Sequence, residues 1–155
     1  MRESIPLLVL ASVVLAMSGC SEADSEPPWI ELGAGLDSFR SLSEGDPLSL
    51  VHGSQGGWHI DLALRFGGFG PDGVHLSYSA SDPESGDELS FVTEALLQER
   101  LVHPFEQGWE RVGDRVVFDV DDADEVIDEE ILIEVVLSYE DEQRSDSQRV
   151  VVVDP

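Results

Sequence analysis

From residue 58 onward, apolar and polar positions alternate with a period of two. Ile60, Leu62, Leu64 and Phe66 are interleaved with His59, Asp61, Ala63 and Arg65; Val74, Leu76, Tyr78 and Ala80 with His75, Ser77 and Ser79; Ile131, Ile133, Val135, Leu137 and Tyr139 with Leu132, Glu134, Val136 and Ser138. Successive side chains of a strand point to opposite faces, so each run predicts a strand with one buried face. The same parity predicts that a charge is excluded at Leu64 and tolerated at Arg65. Further strands are expected at 48–51, 115–120 and 149–153, with a shorter one near Phe39. Stretches rich in Gly, Pro, Asp and Ser separate them, at 45–47, 53–57, 67–73, 82–87 and 145–147. Links this short join antiparallel neighbours. Residues 88–102 admit two readings. Leu89, Val92 and Leu96 suit a helix, whereas the turn-forming 83–87 resembles a hairpin connection and favours a strand pair or one long strand.

Residues 37–155 are too few for two domains. Seven to nine short strands punctuated at this interval predict an all-β fold, an immunoglobulin-like or fibronectin-type antiparallel β-sandwich, with a closed barrel as the alternative. The disulfide of antibody domains is excluded, because the chain has one Cys, at position 20.

That Cys belongs to a different pattern. Met1-Arg2-Glu3-Ser4 precedes an apolar run over 5–17, too short to span a bilayer, which needs about 20 apolar residues. Met17-Ser18-Gly19-Cys20 follows and resembles the bacterial lipobox, with Met in place of the commoner Leu. The resemblance implies a cleaved signal peptide over 1–19 and a lipid on Cys20, which becomes the N-terminus of the mature chain. Two or three acyl chains hold stably where one holds marginally, since each buried CH₂ contributes about 0.8 kcal/mol. Ser21 follows, not the Asp that keeps many such proteins in an inner membrane, so the resemblance implies an outer-membrane-anchored lipoprotein of the cell envelope. Residues 20–36 form the lipidated N-terminus and tether: 21–28 carry two Pro and no apolar period, and 29–36 either pack on the domain or stay loose.

Charge narrows the function. The 155 residues hold 33 acids and 8 basic side chains, all Arg, for a formal charge of −25. Removing the signal peptide takes away Arg2 and Glu3 and leaves that charge unchanged. No basic footprint for nucleic acid is expected. A thiol nucleophile is excluded if Cys20 is acylated, and His52-Gly53-Ser54-Gln55-Gly56 has His where a nucleophile elbow needs Gly, so the protein is read as a non-enzyme.

Two segments are candidate sites. In Gly53-Ser54-Gln55-Gly56-Gly57-Trp58-His59 the glycines permit a sharp entry into the following strand, with Trp58 on the inward parity of Ile60; Gln55, Trp58 and His59 also make a candidate recognition loop. His59 and His75 have outward parity on strands expected in different sheets, so they cannot share an ion. The second segment, 119–130, carries eight carboxylates in twelve residues. Asp119, Asp121, Asp122, Asp124 and Glu130 are the candidate calcium ligands, although Ala123 and Asp124 replace a ligand and the turn Gly of an EF-hand. Asp82, Glu84 and Asp87 offer further oxygens. No other cofactor is expected.

Trp29-Ile30-Glu31-Leu32-Gly33-Ala34-Gly35, then Phe39 with Gly45-Asp46, then 51–60 resemble a pattern of uncharacterised lipoproteins, an ELGxG stretch before F…GD and GxQGGxH. No activity follows from it. The expectation is a lipid-anchored structural or binding module for an unknown envelope protein or glycan; the alternative is a calcium-dependent adhesive or carbohydrate-binding module.

Overall fold

The computed structural model describes residues 27–154. The lipobox, with Cys20 and the preceding signal segment, lies outside them. Eleven strands run in chain order: β1 Trp29–Ala34, β2 Arg40–Ser41, β3 Asp46–Ser49, β4 Val51–His52, β5 Trp58–Gly67, β6 His75–Ser81, β7 Thr93–Leu96, β8 His103–Phe105, β9 Gly108–Phe118, β10 Glu130–Tyr139 and β11 Glu142–Val153.

They form two sheets. One has the order β2-β1-β5-β9-β8, with β4 also on β5; the other has β3-β11-β10-β6-β7. The chain changes sheets five times, before and after β3, between β5 and β6, between β7 and β8 and between β9 and β10. The fold is thus an open immunoglobulin-like sandwich and not a barrel. Most pairs are antiparallel, but β3 lies parallel to β11, Asp46 opposite Val150 through Ser49 opposite Val153. The expected strand over 48–51 is two strands, because the chain changes sheets at the buried Leu50, whose N–H donates to the Val153 carbonyl at 2.8 Å.

The period of two translates directly into the core. Ile60, Leu62, Leu64 and Phe66 face Leu76, Tyr78, Ala80, Ile131, Ile133, Val135 and Leu137 across the sandwich, all essentially inaccessible. Four expectations change. The break expected at 145–147 is absent, because those polar residues pair in register with β10 inside an unbroken β11, and the hairpin turn lies at 140–141. Residues 29–34, placed with the tether, form β1 and pair along β5 from Trp29 opposite Gly67 to Ala34 opposite Leu62. The count exceeds nine, since β1 and several two- to four-residue strands carry no readable period. Residues 88–102 are neither a helix nor one long strand. The chain bridges back to β6 at Glu88, crosses to β9 where Phe91 N–H donates to the Val117 carbonyl, and returns to β6 as β7, before a short 3₁₀ turn at Glu99–Leu101.

The outer face of the first sheet is covered as well. After β1 the backbone crosses it: Gly35 N–H donates to the Asp61 carbonyl, and the N–H of Gly113, the extra residue of a bulge opposite Leu62 and Ala63, donates to the Gly35 carbonyl. Glycine is required on this outer face, under Phe39 of the crossing and under Trp29 of β1. A Cβ on Gly33 would lie 2.4 Å from the Phe39 ring, and one on Gly67 2.5 Å from the Trp29 indole.

Candidate functional site

The Gly-rich segment is a hairpin loop joining β4 to β5, with Val51 opposite His59 and His52 opposite Trp58. Gly56 N–H donates to the Gly53 carbonyl and Gly53 N–H to the Gly57 carbonyl, both at 2.9 Å. Gly56 and Gly57 take φ of +93° and +81°, the left-handed region that a side chain disfavours, which explains the residue type there. The expected sharp entry is therefore a closed hairpin.

This loop, with His59, Arg115 and Val117, borders a cavity of about 300 Å³. Gln55 and His59 share it. Trp58 does not: it packs against the core, with His52 4.8 Å from its ring. The recognition trio is thus split across the two faces of β5. His59 follows its outward parity, yet it is only 6% exposed. It sits in register between Val51 and Val117, with the loop beside it. Its Nε2 lies 3.6 Å from Asp61 Oδ1 and has no hydrogen-bond partner, while the same carboxylate oxygen accepts from Arg115 Nε at 3.2 Å. Burial, followed by the nearby guanidinium, holds the His59 pKa below its ordinary value, against a smaller upward pull from Asp61. His75, at the exposed start of β6, belongs to the other sheet, so the two imidazoles do not meet.

The acidic segment folds as a turn closed by its own carboxylates. Glu125 Oε1 accepts the N–H groups of Asp121 and Asp122, and Asp122 Oδ1 accepts that of Asp124, at 2.9 to 3.2 Å. This capping box stabilises a 3₁₀ turn at Ala123–Glu125, while Ala123 and Val126 sink into the core. Glu130 is at the start of β10, where it pairs with Arg149 at 3.4 Å, away from the cap. Among the described residues no three His, Cys, Asp or Glu side chains gather to hold an ion. Asp82 is engaged likewise: its Oδ1 accepts from Glu84 and Ser85 N–H, which lowers its pKa.

Two further polar assemblies escaped the sequence reading. Tyr78 Oη donates at 3.0 Å to the buried Asp114 Oδ2, which also accepts from Arg111 Nε at 2.7 Å. Burial, then Asp114, raises the Tyr78 pKa well above its usual range. On the opposite face the Arg65 guanidinium carbon lies 4.0 Å from the Phe39 ring centre and 3.6 Å from that of Phe105, and Arg65 Nε donates to Glu110 at 2.9 Å. Tyr78 and Asp114 stand in different sheets and meet across the core, Glu110 lies opposite Arg65 in register, and Phe39 reaches Arg65 from the crossing after β1. The alternation near Arg65 was the one available signal, and it marked a face without showing what covers it.

No family model matches the chain, and no curated protein does. Among solved structures it is similar to the CooA pilin subunit from enterotoxigenic Escherichia coli, at 11% identity with a TM-score of 0.35, over 81% of this chain and 99% of that one.

Proposed function

We propose that the chain is a lipid-anchored protein of the bacterial envelope whose sandwich is a non-catalytic structural or binding module. The observation that carries the reading is Met17-Ser18-Gly19-Cys20, in which the sole Cys of the chain stands where a lipobox needs it. The described fold is under way at Trp29, so eight residues, 21–28, would separate the lipid from β1, a reach of at most about 28 Å when fully extended. A module of this kind must offer surface rather than chemistry. The polar groups agree with that role: six of the seven described Arg pair with a carboxylate, while Arg100 donates to Gln98.

Thioether formation precedes signal cleavage in this class of protein, so Cys20→Ala should leave an unacylated, uncleaved precursor. The checks are the mass of the chain made in a lipoprotein-processing bacterium and its partition into detergent. Recovery of the variant as a mature, detergent-phase protein would overturn the anchor.

A further inference from the structure

Strand edges are where a sandwich can be extended by another chain, and in this one most of them are blocked. On the first sheet, β2 and β4 are two residues long and β8 three, including Pro104. β1 is met by β2 at Gly33 and Ala34, and its Leu32 N–H donates to Asp146 at 2.7 Å. On the second sheet, β3 carries Pro47. The stretch of β11 ahead of β3 is polar, and Arg144 and Asp146 have the inward parity of Val150 and Val152. Short length, proline and inward-turned charge are the devices that keep strand edges from pairing.

β7 is four residues long but lacks the other two devices. It holds no Pro and no basic residue, and its only charge is Glu94. Leu97 N–H donates to the Val74 carbonyl and the Leu97 carbonyl accepts from Gly73, so Leu97 turns its backbone groups toward the residues that lead into β6. With the register of Leu96 on His75 and Glu94 on Ser77, the antiparallel alternation turns the N–H and C=O groups of Glu94 and Leu96 away from β6, toward the open edge. Apolar side chains gather here too. Of the five large hydrophobic residues that stand out as exposed among the described ones, four fall within 91–101: Phe91 at 55%, Val92 at 56%, Leu96 at 49% and Leu101 at 37%. Glu94 and Glu99 fall within the same stretch and Asp87 and Glu88 just ahead of it, against one Arg, Arg100.

We infer that β7 is a docking edge that takes an extended segment of another protein as an added strand, apolar at alternate positions and flanked by basic residues. Backbone pairing supplies the attachment, the apolar residues supply the buried area, and the acids select the partner's charge. A second copy of this chain does not fit, because it would bring another −25 charge with no Lys to offset it. The inference rests on the binding-module reading and names the partner's chemistry; it does not depend on the lipid.

The test uses the full-length chain in mild detergent, with a capped peptide probe of alternating Thr and Val flanked by Arg at both ends. At saturating peptide, hydrogen exchange read by mass spectrometry should slow about tenfold in the fragment covering 93–97 and stay unchanged in β10. High salt should reverse the effect, and a Glu-flanked peptide should not produce it. Glu94→Pro removes one outward N–H at a position where an edge strand tolerates Pro, and Leu96→Lys adds a repelling charge while keeping the backbone. Both should keep the native strand signal in circular dichroism and lose the protection. Unchanged exchange in the native chain, protection that survives both variants, or concentration-dependent protection without peptide, which would mean self-association, would each overturn the inference. None of these bears on processing at Cys20, which the anchor experiment reads separately.

Discussion

His59 shows how a residue on the outward parity of a strand becomes a buried titratable group. Its folded pKa lies below the ordinary value of about 6.5 because burial and Arg115 disfavour the imidazolium more than Asp61 favours it. The unfolded chain therefore takes up the proton first as pH drops. Stability is fully present above about pH 6.5, is lost as pH falls through the lower folded value, and changes no further below it on this account. His59→Gln should flatten that part of the profile, which calorimetric melts at closely spaced pH values would show. A constant offset between the two melting curves across the window would remove His59 as the cause. Tyr78 and Asp114 teach the complementary lesson: a buried carboxylate is retained because both a hydroxyl and a guanidinium satisfy it.

At the scale of the element, β5 decides the fold. Its inner side chains fill the core, and it pairs with β1, β4 and β9. Leu64→Asp would place an unpaired carboxylate at a fully inaccessible site and should prevent folding. Arg65→Asp, which alternation alone marks as harmless, should also destabilise, by about 2 kcal/mol: it removes two cation–π contacts and sets a carboxylate against Glu110. Arg65→Lys, which keeps the charge but not the planar group, should fall between. Urea unfolding of the three variants reads the order. Arg65→Asp within about 0.5 kcal/mol of the native chain would show that the Phe39 and Phe105 contacts contribute nothing. The parity of β5 is thus sound, while the equation of outward with solvated fails, because the crossing at 35–39 and β8 cover that face.

For the whole molecule the dominant quantity is the formal charge of −25. Six Arg–carboxylate pairs leave most of the acids without a cation, among them Asp121, Asp122 and Asp124 in the capped turn. Raising sodium chloride from about 0.01 M to 0.15 M shortens the Debye length from roughly 30 Å to 8 Å and should raise the melting temperature by relieving this repulsion. Calcium at matched ionic strength should raise it no further, since Asp122 and Glu125 are engaged as caps and Glu130 is paired elsewhere. A flat or falling melt in sodium would show that the acidic surface is already neutralised. A calcium-specific rise removed by chelator would restore the acidic turn as an ion site.

The all-β class, the parity of β5, β6 and β10, the breaks at 53–57, 67–73 and 82–87 and the tight glycine turn before Trp58 were legible in the order of residues alone. Each is a local property: a period of two, or a backbone conformation that only Gly adopts without strain. The tertiary structure decided the rest. β1 became a strand because Gly33 and Gly67 let aromatic rings lie against the sheet; 48–51 split because the chain changes sheets at Leu50; and 88–102 divided its pairing between β6 and β9. The acidic turn was legible as acidic but not as self-capped, because capping depends on the backbone path. Likewise register joins Asp61 to Arg115, the crossing and β8 bring Phe39 and Phe105 to Arg65, and the packing of one sheet on the other brings Tyr78 to Asp114, none of which a local pattern encodes.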